Sequence, residues 1–223
     1  MLYPDSRAAL ADAAHRLDRA GMTHGTGGNL SARVDDHVVL TPSGCLLGEV
    51  TADQMVIVDL DGTIAEQTAY TPTSELKIHL DVYRHTSARA VAHAHPVASI
   101  AVANLVDELP VVHYTAAAIG GSVRVAPFAV FGSQELTDHV AAALTDRSAA
   151  LMRNHGSVAY GDSLDDACDR IELVDWFADI YLRSAAVAPP RTLSHDDVIA
   201  TVVAAAQRHY SPFPRTDRED RDS

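Results

Sequence analysis

The six residues AVAHAH at 90–95 constrain the fold most. They make an apolar run too short for an ordinary helix, and Pro96 closes it, so the run reads as a buried strand. Pro96 is expected as the first residue of a helix over VASIAVANLV, where its missing N–H costs nothing. The same alternation continues downstream. SVRVAPF at 122–128, AALMRN at 149–154 and GSVAYG at 156–161 read as strands, and 133–144 and 164–186 as helices. Such alternation predicts an α/β layered domain.

Upstream, SRAALADAAHRLDRAG reads as an amphipathic helix, with Asp5 or Ser6 as its cap and Gly21 as its end. HGTGGNLSAR at 24–33 reads as a glycine-rich turn, VVLT at 38–41 as a strand and PSG at 42–44 as a turn. MVIVDL at 55–60, followed by Asp61-Gly62, predicts a hairpin. A helix is expected from about Thr73 to His85, capped by Thr73 or Ser74, and a last helix over 194–210, capped by Ser194. No internal repeat or low-complexity linker interrupts the chain. One domain over 1–210 and a flexible polar tail over 211–223 are expected.

Charge and composition exclude several classes of function. The net charge of −13 opposes general nucleic-acid binding, which needs a basic field. A small anion remains possible, because backbone N–H groups bind phosphate without a basic patch. No apolar run is long enough to span a membrane, the first ten residues lack the pattern of a secretory signal, and Cys45 and Cys168 form no CxxC pair. Cytoplasmic residence is therefore expected. Lys77 is the only lysine, so Schiff-base chemistry has a single candidate, and its position two residues from Glu75 places it on another helix face.

Twelve histidines make imidazole chemistry the main question. His93 and His95 lie two apart on the expected strand, so both point to one face, at a spacing that lets two imidazoles reach one metal ion. Two polar residues at a strand end is the plainer alternative. His155, after a strand and before Gly156, is a candidate third ligand. Three histidines with an open position would make a catalytic zinc site. The other nine are expected in solvent. HAHPVAS lacks the following residues of metallo-β-lactamases and cupins, and neither HExxH nor PCxxC occurs. Glu75 opens the helix after TPTS. An acid there favours the helix dipole, and becomes a chemical candidate only if that helix start faces the metal. Gly28 and Asn29 in GTGGN, Ser43 and Gly44, and the hydroxyls of Thr73 and Ser74 can offer donors to an anion. Cys45 is expected as a small buried residue.

GNLSAR, TPSG, TSELKIH, HAHP and NHG, in this order and spacing, resemble the class II aldolase/adducin family. The segment 111–141, VVHYTAAAIGGSVRVAPFAVFGSQELTDHVA, is most similar to its sugar-phosphate aldolases. The likeness runs from residue 5 to about 210. It implies a three-layer α/β/α fold with a central, largely antiparallel sheet. It implies Zn²⁺ held by His93, His95 and His155, and Glu75 as catalytic acid/base. Gly28, Asn29, Ser43, Gly44, Thr73 and Ser74 match the loops that hold a substrate phosphate. Tyr114 matches a tyrosine that reaches into a neighbouring subunit's site, and Phe131 and Tyr210 match the aldehyde pocket. A homotetramer with sites at subunit interfaces is implied. The implied reaction is cleavage of a ketose 1-phosphate, such as L-fuculose 1-phosphate, to dihydroxyacetone phosphate and a small aldehyde. Pentulose-phosphate 4-epimerases, oxo-acid phosphate decarboxylases and a non-catalytic adducin-like module are the alternatives within the resemblance. Ser43 and Thr73 exchange hydroxyl types relative to the expected pattern, and the chain after Tyr210 departs from it.

Overall fold

The computed structural model describes residues 1–208. Its centre is a sheet of eight strands: β1 (Asn29–Val34), β2 (His37–Leu40), β3 (Val56–Asp59), β4 (Ala90–Ala94), β5 (Glu108–Leu109), β6 (Val123–Ala126), β7 (Ala149–Met152) and β8 (Gly156–Gly161). The spatial order is β3-β2-β1-β4-β8-β7-β6-β5. Neighbours run antiparallel except β6 and β7, which are parallel. β4 therefore lies near the middle, paired with β1 and β8 and buried along its whole length.

The described residues form six α-helices, α1 (Pro4–Arg19), α2 (Leu76–His85), α3 (Val97–Ala103), α4 (Gln134–Ala143), α5 (Leu164–Ala185) and α6 (His195–Gln207); the first five pack on the sheet, and α6 lies against the 3-10 turn Tyr114–Ile119. The period-two alternation of strand side chains divides the core into two apolar clusters. Ala90, Ala92 and Ala94 of β4 face the layer of α1, α3 and α5, with Leu10, Leu17, Val102, Ile171 and Phe177. Their small side chains let α5 lie close against β4. Val91 faces the other layer, with Ile78, Tyr83, Leu136 and Val140 of α2 and α4. His93 shares the parity of Val91 and so projects toward the layer that contains α2. The expected three-layer α/β/α arrangement with a largely antiparallel sheet is what the chain adopts.

Several local expectations require correction. The stretch 24–33 is not all turn, because β1 begins at Asn29. Asp5 and Ser6 lie inside α1, whose N-cap position is Tyr3, with no side-chain cap. α2 starts at Leu76, so Glu75 is its N-cap residue rather than part of its first turn. Thr73 closes a separate turn just before it, its Oγ1 accepting from the Glu75 amide. Pro96 is the N-cap of α3, not its first residue. The hairpin after β3 reduces to one bridge, Val58 to Ile64. Cys45 is half-buried rather than buried. Ser194 caps α6 as expected, and Ser133 caps α4. Tyr210 and the tail 211–223 lie outside the described residues. Among the described residues no helix is long and apolar enough to cross a membrane.

Candidate metal centre and active site

Three elements and the residue after one of them deliver the site. β4 carries His93 and ends before His95, the turn from β7 to β8 carries His155, and the start of α2 carries Glu75. The donor atoms of His93, His95 and His155 lie within 4.8 Å of one another, and the three ring centroids are 4.8 to 4.9 Å apart. His93 Nδ1 lies 2.9 Å from the Ser157 carbonyl oxygen. A carbonyl only accepts, so Nδ1 carries a hydrogen and Nε2 is the nitrogen turned toward Glu75 and the cluster, able to offer a lone pair to a metal once its own proton leaves. His93 Nε2 and His95 Nε2 approach to 2.9 Å. Two glycines make room for His95: a Cβ on Gly27 would lie 3.0 Å from its Cε1, and one on Gly156 would lie 2.9 Å from its Cδ2.

Glu75 is buried beside this cluster. Its Oε2 lies 2.9 Å from His93 Nε2 and accepts from Asn29 Nδ2 at 3.0 Å. Its Oε1 has no hydrogen-bond partner, and His155 Nε2 is its nearest basic neighbour at 3.3 Å. Burial alone would raise the carboxyl's pKa. The ring of His93, then His155 and the Asn29 amide outweigh it and hold the group well below the usual carboxylate range. Burial pulls His93 down, but the pairing with Glu75 and the Ser157 carbonyl raise it on balance. Burial and the nearby His93 push His95 down to about 3 and His155 down to about 4. Two imidazoles held neutral, the Nε2 of His93 turned to the same point, and a buried carboxylate oxygen without a partner fit a divalent cation, which would take the place of the His93 proton.

A cavity of about 530 Å³ opens on this cluster. Gly28, Asn29, Ser43, Gly44, Thr73 and Ser74 all line it, together with Glu75, His95, His155 and Phe131. Neither lysine nor arginine is among its described lining residues. The amides of Gly44 and Ser74 and the hydroxyls of Ser43 and Ser74 make no hydrogen bond among the described residues, so they can face a ligand. The Asn29 amide is turned inward instead, held between Glu75 and His79. Tyr114 lies elsewhere, in a 3-10 turn over Tyr114–Ile119, and borders a second cavity of about 840 Å³ with Arg191, Asp197 and Arg208. Lys77 is exposed and does not line the first cavity.

The residue that sequence reasoning missed is His79, expected in solvent but fully buried. Its spacing from Glu75, four residues on and one helical turn along the same face, could have marked it as a neighbour of that acid, though not as buried. Thr26 and Asn154 also line the cavity without having been singled out.

Three histidines and one acid, set at the end of the central strand β4 of a three-layer α/β/α domain beside a hydroxyl-lined cavity, define a metal-dependent lyase of the class II aldolase type. Residues 8–182 match the Class II Aldolase and Adducin N-terminal domain, and the chain belongs to that family. It is 36% identical over 196 residues to L-fuculose phosphate aldolase of Escherichia coli (strain K12), covering 87% of this chain and 90% of that one. It is 34% identical over 201 residues to 5-methylthioribulose-1-phosphate/5-deoxyribulose-1-phosphate aldolase of Rhodospirillum rubrum, covering 87% and 90%. A solved L-fuculose 1-phosphate aldolase superposes with a TM-score of 0.86 at 31% identity, over 91% of this chain and 96% of that chain.

Proposed function

We propose that this enzyme reversibly cleaves a ketose 1-phosphate, L-fuculose 1-phosphate or a similar sugar, to dihydroxyacetone phosphate and a small aldehyde such as lactaldehyde. The observation that carries this reading is the placement of Glu75. Its carboxylate sits beside the three histidines, on the wall of a cavity whose other walls offer hydroxyls and amides to a phosphate. His93, His95 and His155 would hold Zn²⁺, which suits three imidazoles. When bound, the ion acts as a Lewis acid that polarises the ketone and stabilises negative charge developing on its oxygen.

The chain's own residues supply the rest. In the synthetic direction the Glu75 carboxylate takes a proton from the carbon beside the ketone, and in cleavage it returns that proton to the same carbon. Its depressed pKa keeps it in the ionised form that a base requires. The backbone of the 28–29 loop and the loops at 43–44 and 73–74 would grip the phosphate through neutral donors, while the Asn29 side chain stays with Glu75 and His79, so binding energy at the unreactive end fixes the reacting carbons. Phe131 and Tyr210 would border the aldehyde. Tyr114 would donate its phenolic proton toward the aldehyde oxygen of a neighbouring subunit's substrate. Its position on a separate cavity, 42% exposed, leaves it accessible to another copy's site, in the homotetramer that the family resemblance implies. We place residues 1–210 in one catalytic domain.

The test is a cleavage assay on L-fuculose 1-phosphate with zinc-loaded protein, detecting dihydroxyacetone phosphate through a coupled reductase. Product that disappears with chelator and in Glu75→Gln supports the reading. Stoichiometric zinc without product refutes the substrate, and the epimerase and decarboxylase reactions are assayed next. Protein that binds no divalent metal refutes the metal chemistry and favours a non-catalytic module. A monomeric variant should keep its metal and lose most turnover; full activity in a monomer overturns the shared site.

A further inference from the structure

Behind Glu75 runs a chain of buried polar side chains. Asn29 Nδ2 donates to Glu75 Oε2 at 3.0 Å. His79 Nε2 lies 2.5 Å from Asn29 Oδ1, and His79 Nδ1 lies 2.7 Å from Ser31 Oγ. Ser31 Oγ lies 2.7 Å from the Tyr83 hydroxyl. Ser31 and His79 are fully sealed from solvent, and Tyr83 is 2% exposed. The register explains the assembly: Asn29 and Ser31 alternate on one face of β1, with Asn29 opposite His93, while Glu75, His79 and Tyr83 follow one another at four-residue intervals along α2.

The direction of every hydrogen in this chain follows from its end. An ionised carboxylate only accepts, so Asn29 must present its NH₂ to Glu75 and its carbonyl to His79. His79 must therefore carry its hydrogen on Nε2, which makes Nδ1 an acceptor. Ser31 then donates to Nδ1 and accepts from Tyr83. The amide link passes no proton onward, so the chain is an orienting device rather than a proton wire. It fixes one oxygen of Glu75 and leaves Oε1, the atom without a hydrogen-bond partner, as the one that can exchange a proton.

We propose that His79 is a positioning residue for Glu75: by locking the Asn29 amide in one orientation it anchors Oε2 and assigns proton transfer to Oε1. This inference rests on the acid/base role of Glu75 stated above. An unconnected core position would favour an apolar side chain, because a buried imidazole costs free energy unless both ring nitrogens are paired. Here both are paired, and the string of partners ends on the catalytic acid.

Two measurements test it. Nitrogen-15 NMR of the metal-free wild type at neutral pH should find His79 protonated on Nε2 and bare on Nδ1. The opposite tautomer overturns the assignment whatever the substrate. In zinc-loaded protein, His79→Leu should lower kcat for ketose-phosphate cleavage about ten- to a hundred-fold, the usual range for a residue supporting a site from behind. KM and zinc content should change less than about threefold, and His79→Gln, which keeps a donor toward Asn29, should recover most of the loss. Should His79→Leu fail to fold, Ser31→Ala decides. It frees Nδ1 to take the hydrogen, so it should yield mixed tautomers and a several-fold lower kcat. A wild type that cleaves sugar phosphates while folded variants match its kcat refutes the positioning role alone. A wild type without cleavage activity refutes the functional reading, and the tautomer still decides the hydrogen-bond direction.

Discussion

Gly27→Ala separates the metal centre from the fold. Gly27 lies outside the strands and helices, and no positive φ forces glycine there, so the substitution adds only a methyl group. That methyl would lie 3.0 Å from His95 Cε1, nearer still to Nδ1, and 3.1 Å from the His24 carbonyl oxygen. The backbone oxygen bounds one side, so the ring must give way. Restoring ordinary contact requires the imidazole to retreat by roughly 1 Å. Zinc–nitrogen bonds of about 2.0–2.1 Å tolerate about 0.2 Å. The retreat therefore exceeds the tolerance about fivefold, and His95 is lost or badly placed as a ligand. Zinc affinity should fall at least ten- to a hundred-fold, about 1.4–2.7 kcal/mol. Competition against a chromophoric chelator measures this, and urea unfolding of the metal-free protein supplies the control. Metal-free stability should change by less than about 0.5 kcal/mol, as for other substitutions outside the core. Unchanged affinity in a folded variant would refute the assignment of His95. An affinity loss matched by an equal loss of metal-free stability would show that Gly27 serves the fold instead.

Other perturbations have equally definite outcomes. Glu75→Gln should retain zinc and lose about 10²- to 10⁴-fold in kcat, measured in the coupled cleavage assay. Burial and the nearby His93 push His79 down to about 3, against about 6.5 in an unfolded chain. The unfolded state thus binds one more proton between these values, so the associated stability is complete above pH 6.5 and lost as pH falls, by about 1.4 kcal/mol per unit. Urea midpoints of the metal-free protein from pH 7 to 4 should follow a slope that His79→Leu reduces by about one proton; equal slopes exclude the buried neutral imidazole. Arg7, buried under α1, donates to the carbonyls of Leu2 and Met55 at 2.8 and 2.6 Å and pairs with Glu66. Arg7→Met should cost about 2–4 kcal/mol by denaturant unfolding without changing zinc affinity.

The legible parts of the site were those whose geometry follows from local rules. His93 and His95 sit two apart beside a proline, and strand alternation alone brings them together. His155 was visible because a histidine between a strand and a glycine has few places to point. β1 was hidden by the chemistry that makes it useful. Leu30, Ala32 and Val34 alternate with Asn29, Ser31 and Arg33, which is ordinary strand patterning. The polar set, however, does not simply face water: Asn29 and Ser31 are buried, binding Glu75, His79 and Tyr83. A strand whose polar face serves a site looks like a loop to any rule that equates polar with exposed. The same rule placed His79 in solvent. Its burial depends on partners 48 and 50 residues away in sequence, Ser31 and Asn29, and no local window contains them.

The charge arrangement also bears on what the cavity selects. The molecule carries a net charge of −13, so its general field repels a phosphate dianion. A cavity built on lysine and arginine would overcome that field and would also admit many other anions. This cavity has neither among its described lining residues. Its donors are amides and hydroxyls, which hold an anion only at hydrogen-bonding distance. Among the described residues, the concentrated positive charge at this cavity would be the cation that the three histidines can bind, and Glu75 beside it would cancel part of that charge. A phosphate alone would meet weak dipoles, and a ketone alone would meet only the metal. A ligand carrying both, at the spacing between Ser74 and the histidines, gains both sets of contacts at once. On the proposed reading, selection for a phosphorylated ketone would come from geometry between these two modest sites of the described residues rather than from a strong anion trap.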